Sequence, residues 1–127
     1  MRHEGRFDPQ GHIIMLRVGI AGKARRHLHL RMALDTGASL TVIPWYAAEV
    51  LGYDPARSRQ RVPFMTGSGM ETAPVFPVEA LEVLGVLVTR VPVLCHDLPQ
   101  QSLVDGLLGL SFLRHCRLAI DFHKGLL

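Results

Sequence analysis

Apolar and polar positions alternate through Leu28-His29-Leu30-Arg31-Met32-Ala33, as they do in a strand buried on one face. Leu28, Leu30, Met32 and Leu34 share one side of it, and His27, His29 and Arg31 share the other. The apolar segment 13–20 reads as the strand before it. Residues 21–24 then form the connecting turn, with Gly22 able to take a positive φ. Past the alternation come Leu34-Asp35-Thr36-Gly37-Ala38-Ser39 and the β-branched run Leu40-Thr41-Val42-Ile43. This pattern sets one carboxylate, Asp35, on a tight turn between two strands. Gly37 removes the Cβ where the backbone turns, and Thr36 brings a hydroxyl able to lock the turn.

The rest of the chain keeps a β pattern. Pro44 is placed to open a short helix over 45–51, Gly52 to end it, and 53–61 to form a polar loop. Residues 62–65 and 71–76 read as the arms of a hairpin around Thr66-Gly67-Ser68-Gly69-Met70. The glycines there leave bare backbone N–H and C=O groups for a partner. Strands are expected at 78–84, 86–88 and 91–94, with Gly85 in a turn and 96–101 as a loop. Leu107-Leu108-Gly109, apolar on both sides of a glycine, suits a strand buried on both faces. Ser111 is a candidate N-cap for a helix at 112–115. Residues 117–122 read as a last strand, and Leu126-Leu127 as an apolar end. The expected fold class is all-β, with one or two short helices. Residues 1–12 read as a loose polar arm and 13–127 as a single domain.

Composition narrows the chemistry. The 127 residues are 48% hydrophobic and 20% charged, an ordinary balance for a globular domain. The net charge of +3 is concentrated in Lys23-Ala24-Arg25-Arg26-His27 and Arg57-Ser58-Arg59-Gln60-Arg61. Neither cluster carries the interleaved aromatics of a single-strand nucleic-acid binder, so both read as solvated loop tips and no nucleic-acid partner is expected. No apolar run is long enough to span a membrane, and residues 1–8 lack the apolar core of a signal peptide; no membrane partner and a cytoplasmic location are expected. Cys95 and Cys116 lack C-x-x-C or H-x-x-x-H company, so both read as buried reduced thiols, with no metal site and no cofactor. No lysine follows the 67–69 glycines at phosphate-loop spacing.

The apolar–apolar–Asp-Thr-Gly-Ala-Ser segment, with Leu107-Leu108-Gly109 some seventy residues on, resembles the retropepsin-like aspartic proteases. The match is nearer their bacterial single-domain members and covers about 13–127. The resemblance implies an acid-protease β-barrel that dimerises to form its active site. It places Asp35, Thr36 and Gly37 at the catalytic centre. Ala38, Ser39 and a flap made by Thr66, Gly67, Ser68, Gly69 and Met70 would hold substrate. Leu107, Leu108 and Gly109 would support the catalytic turn from behind, and Thr36 would hydrogen-bond across the dimer axis. The segments Leu118-Ala119-Ile120 and Leu126-Leu127 could pair as interface strands. Viral members often carry Asp where this chain has Ser39 and Arg where it has Leu110, so those contacts do not carry over.

The mechanism that the resemblance implies also calls for the dimer. Hydrolysing an amide with water needs a base and an acid, which two carboxylates sharing one proton supply. This chain has no internal repeat and only one Asp-Thr-Gly, so the second carboxylate must come from a second copy. The expected activity is a homodimeric aspartic endopeptidase acting on extended peptide or unfolded protein. The alternative is a catalytically weak peptide-binding dimer of the same fold.

Overall fold

The alternating segment forms β2 (His27–Leu34), which pairs antiparallel with β1 (Met15–Ala21) through seven consecutive positions, Met15 with Ala33 to Ala21 with His27. The computed structural model describes residues 3–127. Leu30 and Met32 of β2 are buried with Leu16, Val18 and Ile20 of β1, as the period of two requires. The turn between them corrects one expectation. Gly22 has φ −118°, and the left-handed region is taken by Ala24 and Arg25 instead. Gly22 is needed for space: a Cβ there would run into the Leu51 carbonyl oxygen.

The chain continues through β3 (Thr41–Ile43), α1 (Trp45–Val50), β4 (Arg61–Thr66), β5 (Gly69–Val83), β6 (Val86–Cys95), β7 (Gly106–Leu108) and α2 (Leu110–Leu113). Strand order is β1-β2-β7-β3-β6-β5-β4, and β5 pairs back to β1 through Gly19–Glu82, Ile20–Leu81 and Ala21–Ala80. That pairing closes six strands into a barrel and leaves β4 outside it, with β5 as its strand partner. The result is the expected all-β barrel with two short helices. Its core joins both walls, including Val18, Ile20, Met32, Ile43, Leu81 and Leu108. Each such side chain, fully buried, stabilises by roughly 1.5–3 kcal/mol.

Strand β5 is longer than its sequence suggests. Pro74 and Pro77 punctuate it, yet it runs fifteen residues without a break. Pro77 stands opposite Pro92 of β6. Two residues without N–H groups, facing each other, occupy a non-hydrogen-bonded rung and cost the ladder nothing.

The chain ends differ from expectation. Residues 117–122 form no strand; Asp121 makes an isolated bridge to Leu126, and its carboxylate accepts the Lys124 N–H in a turn. Residues 1 and 2 of the arm lie outside the described residues; within 3–12, Gly5 and Leu127 exchange backbone hydrogen bonds and the Phe7 N–H donates to the Gly125 carbonyl, so this part is not wholly loose. Phe7 also meets Phe122 edge to face, with centroids 5.6 Å apart. Among the described residues, no helix is long and apolar enough to cross a membrane.

Candidate active site

Asp35 follows directly on β2, where its N–H donates to the Leu108 carbonyl of β7 at 3.0 Å. The turn then folds on itself. The Gly37 N–H donates to Asp35 Oδ1 at 2.9 Å, and the Ala38 N–H donates to the Asp35 carbonyl at 3.3 Å. One carboxylate oxygen is therefore fixed by the backbone, and the side chain is half-buried. Thr36, Gly37 and Ser39 are exposed, with Ala38 half-buried between them. Among the described residues, no side chain hydrogen-bonds to the Thr36 hydroxyl.

Strand β7 lies under this turn, parallel to β2 on one side and antiparallel to β3 on the other. Gly109 passes so close that a Cβ would sit 2.6 Å from the Ala38 carbonyl oxygen and 2.7 Å from that of Leu40. Leu108 is fully buried. Leu107 is only half-buried, which corrects the reading of a strand covered on both faces. The Leu110 N–H donates to the Ala38 carbonyl at 2.8 Å, tying the start of α2 to the turn.

The structure brings Asp35, Thr36, Gly37, Ala38 and Ser39 together with Leu107, Leu108 and Gly109. Thr66, Gly67, Ser68, Gly69 and Met70 lie apart from them at the tip of the β4–β5 hairpin. There the turn is Gly67-Ser68, while Gly69 and Met70 already belong to β5. The Thr66 hydroxyl donates to the Gly69 carbonyl at 3.0 Å and accepts the Ser68 N–H at 3.3 Å. Gly69 takes φ +119°, and both tip glycines face open space. On one side of the hairpin Phe64 meets His96 at 4.4 Å between centroids, and Met65 and Met70 stand opposite each other, largely exposed.

Every other aspartate has a task of its own. Asp8 accepts the Gln10 N–H, Asp97 the Trp45 N–H, Asp105 the Arg31 N–H and Asp121 the Lys124 N–H, while Asp54 pairs with Arg57. Among the described residues, none of these partners is Asp35. Among the described residues, no group of three or more His, Cys, Asp or Glu converges as a metal cage. A cavity of about 870 Å³ is lined by Leu16, Leu34, Leu108, Phe112, Leu113 and Leu127 among others, but not by Asp35. It is the space between the barrel and the chain ends rather than a cleft over the carboxylate.

Comparison with known families decides the matter: residues 17–112 match the aspartyl protease family, a span that includes the Asp35-Thr36-Gly37 turn and Leu107-Leu108-Gly109. The chain belongs to that family. It is an aspartic protease. Its fold is similar to that of a retropepsin-like aspartic protease from Rickettsia conorii, with a TM-score of 0.72 and 19% identity over 99% of this chain and 98% of that one. No curated protein sequence matches the chain significantly.

Several supports of the protease site have no motif in the sequence. The buried Thr41 hydroxyl accepts the Gly109 N–H at 3.1 Å, and the Thr41 N–H donates to Ser111 Oγ at 2.9 Å. Ser111 therefore does not cap α2, whose first flanking residue is Gly109. Asp105 accepts the Arg31 N–H at 2.9 Å and returns its own N–H to the Arg31 carbonyl at 2.7 Å, clamping the entry of β7 to β2. Asp97 caps α1 from 52 residues away. Such partners are set by the closed barrel, and local spacing carries no trace of them.

Proposed function

We propose that the protease works as a homodimer, hydrolysing peptide bonds in extended polypeptide with a water held between Asp35 and the Asp35 of a second copy. The observation that carries this reading is the single, backbone-fixed carboxylate in a chain whose other aspartates are all engaged elsewhere. Two carboxylates about 3 Å apart cannot both ionise, so the pair retains one proton. One member accepts the proton of the attacking water while the other donates to the substrate carbonyl, and the pair titrates as a unit.

Among the described residues the exposed Thr36 hydroxyl has no partner, which supports a hydrogen bond across the dimer axis. Gly37 leaves the floor of the cleft open to substrate backbone, with Ala38 and Ser39 at its margin. The β4–β5 hairpin acts as the flap. Its tip, Thr66 to Met70, offers backbone groups to an extended peptide in the manner of an added strand. Leu107 and Leu108 hold the floor in place, and Gly109 permits the close approach beneath it. The apolar faces of the hairpin favour large apolar side chains around the cleaved bond.

The test compares the chain with Asp35→Asn on a mixed pool of unfolded peptides from acid to neutral pH, alongside sedimentation of both. The expected result is a bell-shaped profile for the parent, no cleavage by the variant, and a dimer in both. A parent that sediments as a dimer and retains peptides without cutting them would overturn catalysis and favour a peptide-binding dimer. Full activity of a strictly monomeric parent would overturn the shared site.

A further inference from the structure

The outer face of the β1–β2 hairpin carries two imidazoles that the protease chemistry does not use. His27 and His29 lie two residues apart on β2, so they project from the same side of the sheet, and both are exposed. Their rings meet edge to face with centroids 4.7 Å apart. The space they close over belongs to Gly19. A Cβ built there would meet His27 Nε2 and His29 Nε2 at 3.4 Å each, so both nitrogens converge above a residue with no side chain. Gly19 is itself buried, as it should be beneath two rings. It stands opposite His29 on one side and Glu82 of β5 on the other.

We propose that His27 and His29 chelate one divalent cation of the Zn²⁺, Ni²⁺ or Cu²⁺ class above Gly19. Imidazole nitrogens favour these ions over Mg²⁺ or Ca²⁺. Two nitrogens would bind at about 2.0–2.1 Å, with water in the remaining positions. Glu82, in register with Gly19, is the carboxylate that the ladder adds to this face and partly balances the charge. Arg17 and Arg31 form the next row and oppose a cation, so ligand geometry and not the surrounding field holds it. The site lies roughly 20 Å of strand before Asp35. Metal there acts on the hairpin, not on the catalytic turn.

The test titrates the untagged chain with Zn²⁺ or Ni²⁺ by calorimetry and follows thermal unfolding. One equivalent is expected to bind, and metal at ten times the dissociation constant should raise Tm by about 3–6 °C. His27→Gln and His29→Gln should each weaken binding roughly tenfold or more, while His123→Gln leaves it unchanged. Sub-stoichiometric Cu²⁺ should broaden the amide signals of Gly19, His27 and His29 first in the parent chain, a readout that needs no variant. No binding by the parent, or parental affinity in the doubly substituted chain, would overturn the proposal.

Discussion

The Thr41 hydroxyl accepts the Gly109 N–H at 3.1 Å inside the barrel wall, where both residues are shielded from water. Thr41 thereby joins β3 to the segment that passes beneath Asp35, and its own N–H carries the link on to Ser111. Thr41→Val keeps the shape but leaves a buried donor unpaired, at a cost of about 1–3 kcal/mol. Thr41→Ser should recover most of that. Because Thr41 and Ser111 belong to one network, Thr41→Val and Ser111→Ala should not add in a double-mutant cycle read by denaturant unfolding.

Gly109→Ala should be worse than an ordinary overpacking change. The new methyl group would press on the carbonyl oxygens of Ala38 and Leu40, 2.6 and 2.7 Å away, and backbone cannot swing aside as a side chain does. A loss of about 2–4 kcal/mol is expected, with peptide cleavage reduced further than stability alone explains. Thermal unfolding and kcat/KM on one preparation separate the two effects.

If two copies share one site, an inactive copy poisons an active one. Mixing the parent with an equal amount of Asp35→Asn and allowing exchange should lower activity per parent chain to about one half, and a ninefold excess to about one tenth. Activity that stays proportional to the parent alone would contradict a shared site.

At the tip of the β4–β5 hairpin the two glycines should respond differently to substitution. Gly69 takes φ +119°, so Gly69→Val strains the backbone by about 1–2 kcal/mol and should lower kcat/KM. Gly67 has no such angle and nothing within 4 Å, so Gly67→Ala should leave stability unchanged within experimental error.

Burial pushes the Cys95 thiol up to about 12 from its usual 9, with Asp97 and Glu49 adding to the effect. The unfolded chain releases this proton at lower pH than the folded one, so the native state loses stability as pH rises from about 9 to 12. The upper limit is about 4 kcal/mol. Cys95→Ala should flatten that alkaline slope in denaturant unfolding. In the native protein at pH 8, a thiol reagent should modify the half-buried Cys116 well before Cys95.

Periodic patterns carried most of the barrel. Leu30 and Met32 could be placed inside, and Asp35 on its turn, because strand alternation and turn chemistry are local. Strand β5 was less legible because Pro77 fell between an arm expected at 71–76 and a strand expected at 78–84; only the facing Pro92 makes Pro77 harmless. Residues 117–122 have a strand-like composition but, among the described residues, pair with no strand. At the site, the Asp-Thr-Gly turn announced itself. Thr41, Asp97, Asp105 and Ser111 did not, since their partners lie 52 to 74 residues away and are chosen by barrel closure.

Strand β5 has a mechanical consequence. It is one uninterrupted beam, anchored at 80–82 to β1 and at 75–83 to β6, with its far end cantilevered alongside β4. A force on the tip is therefore felt as torque at the barrel seam, not absorbed in a loose hinge. Pairing with β6 ends at Val75, so opening of the arm should bend β5 just beyond that residue, and the load should end on the closing seam between Gly19 and Glu82.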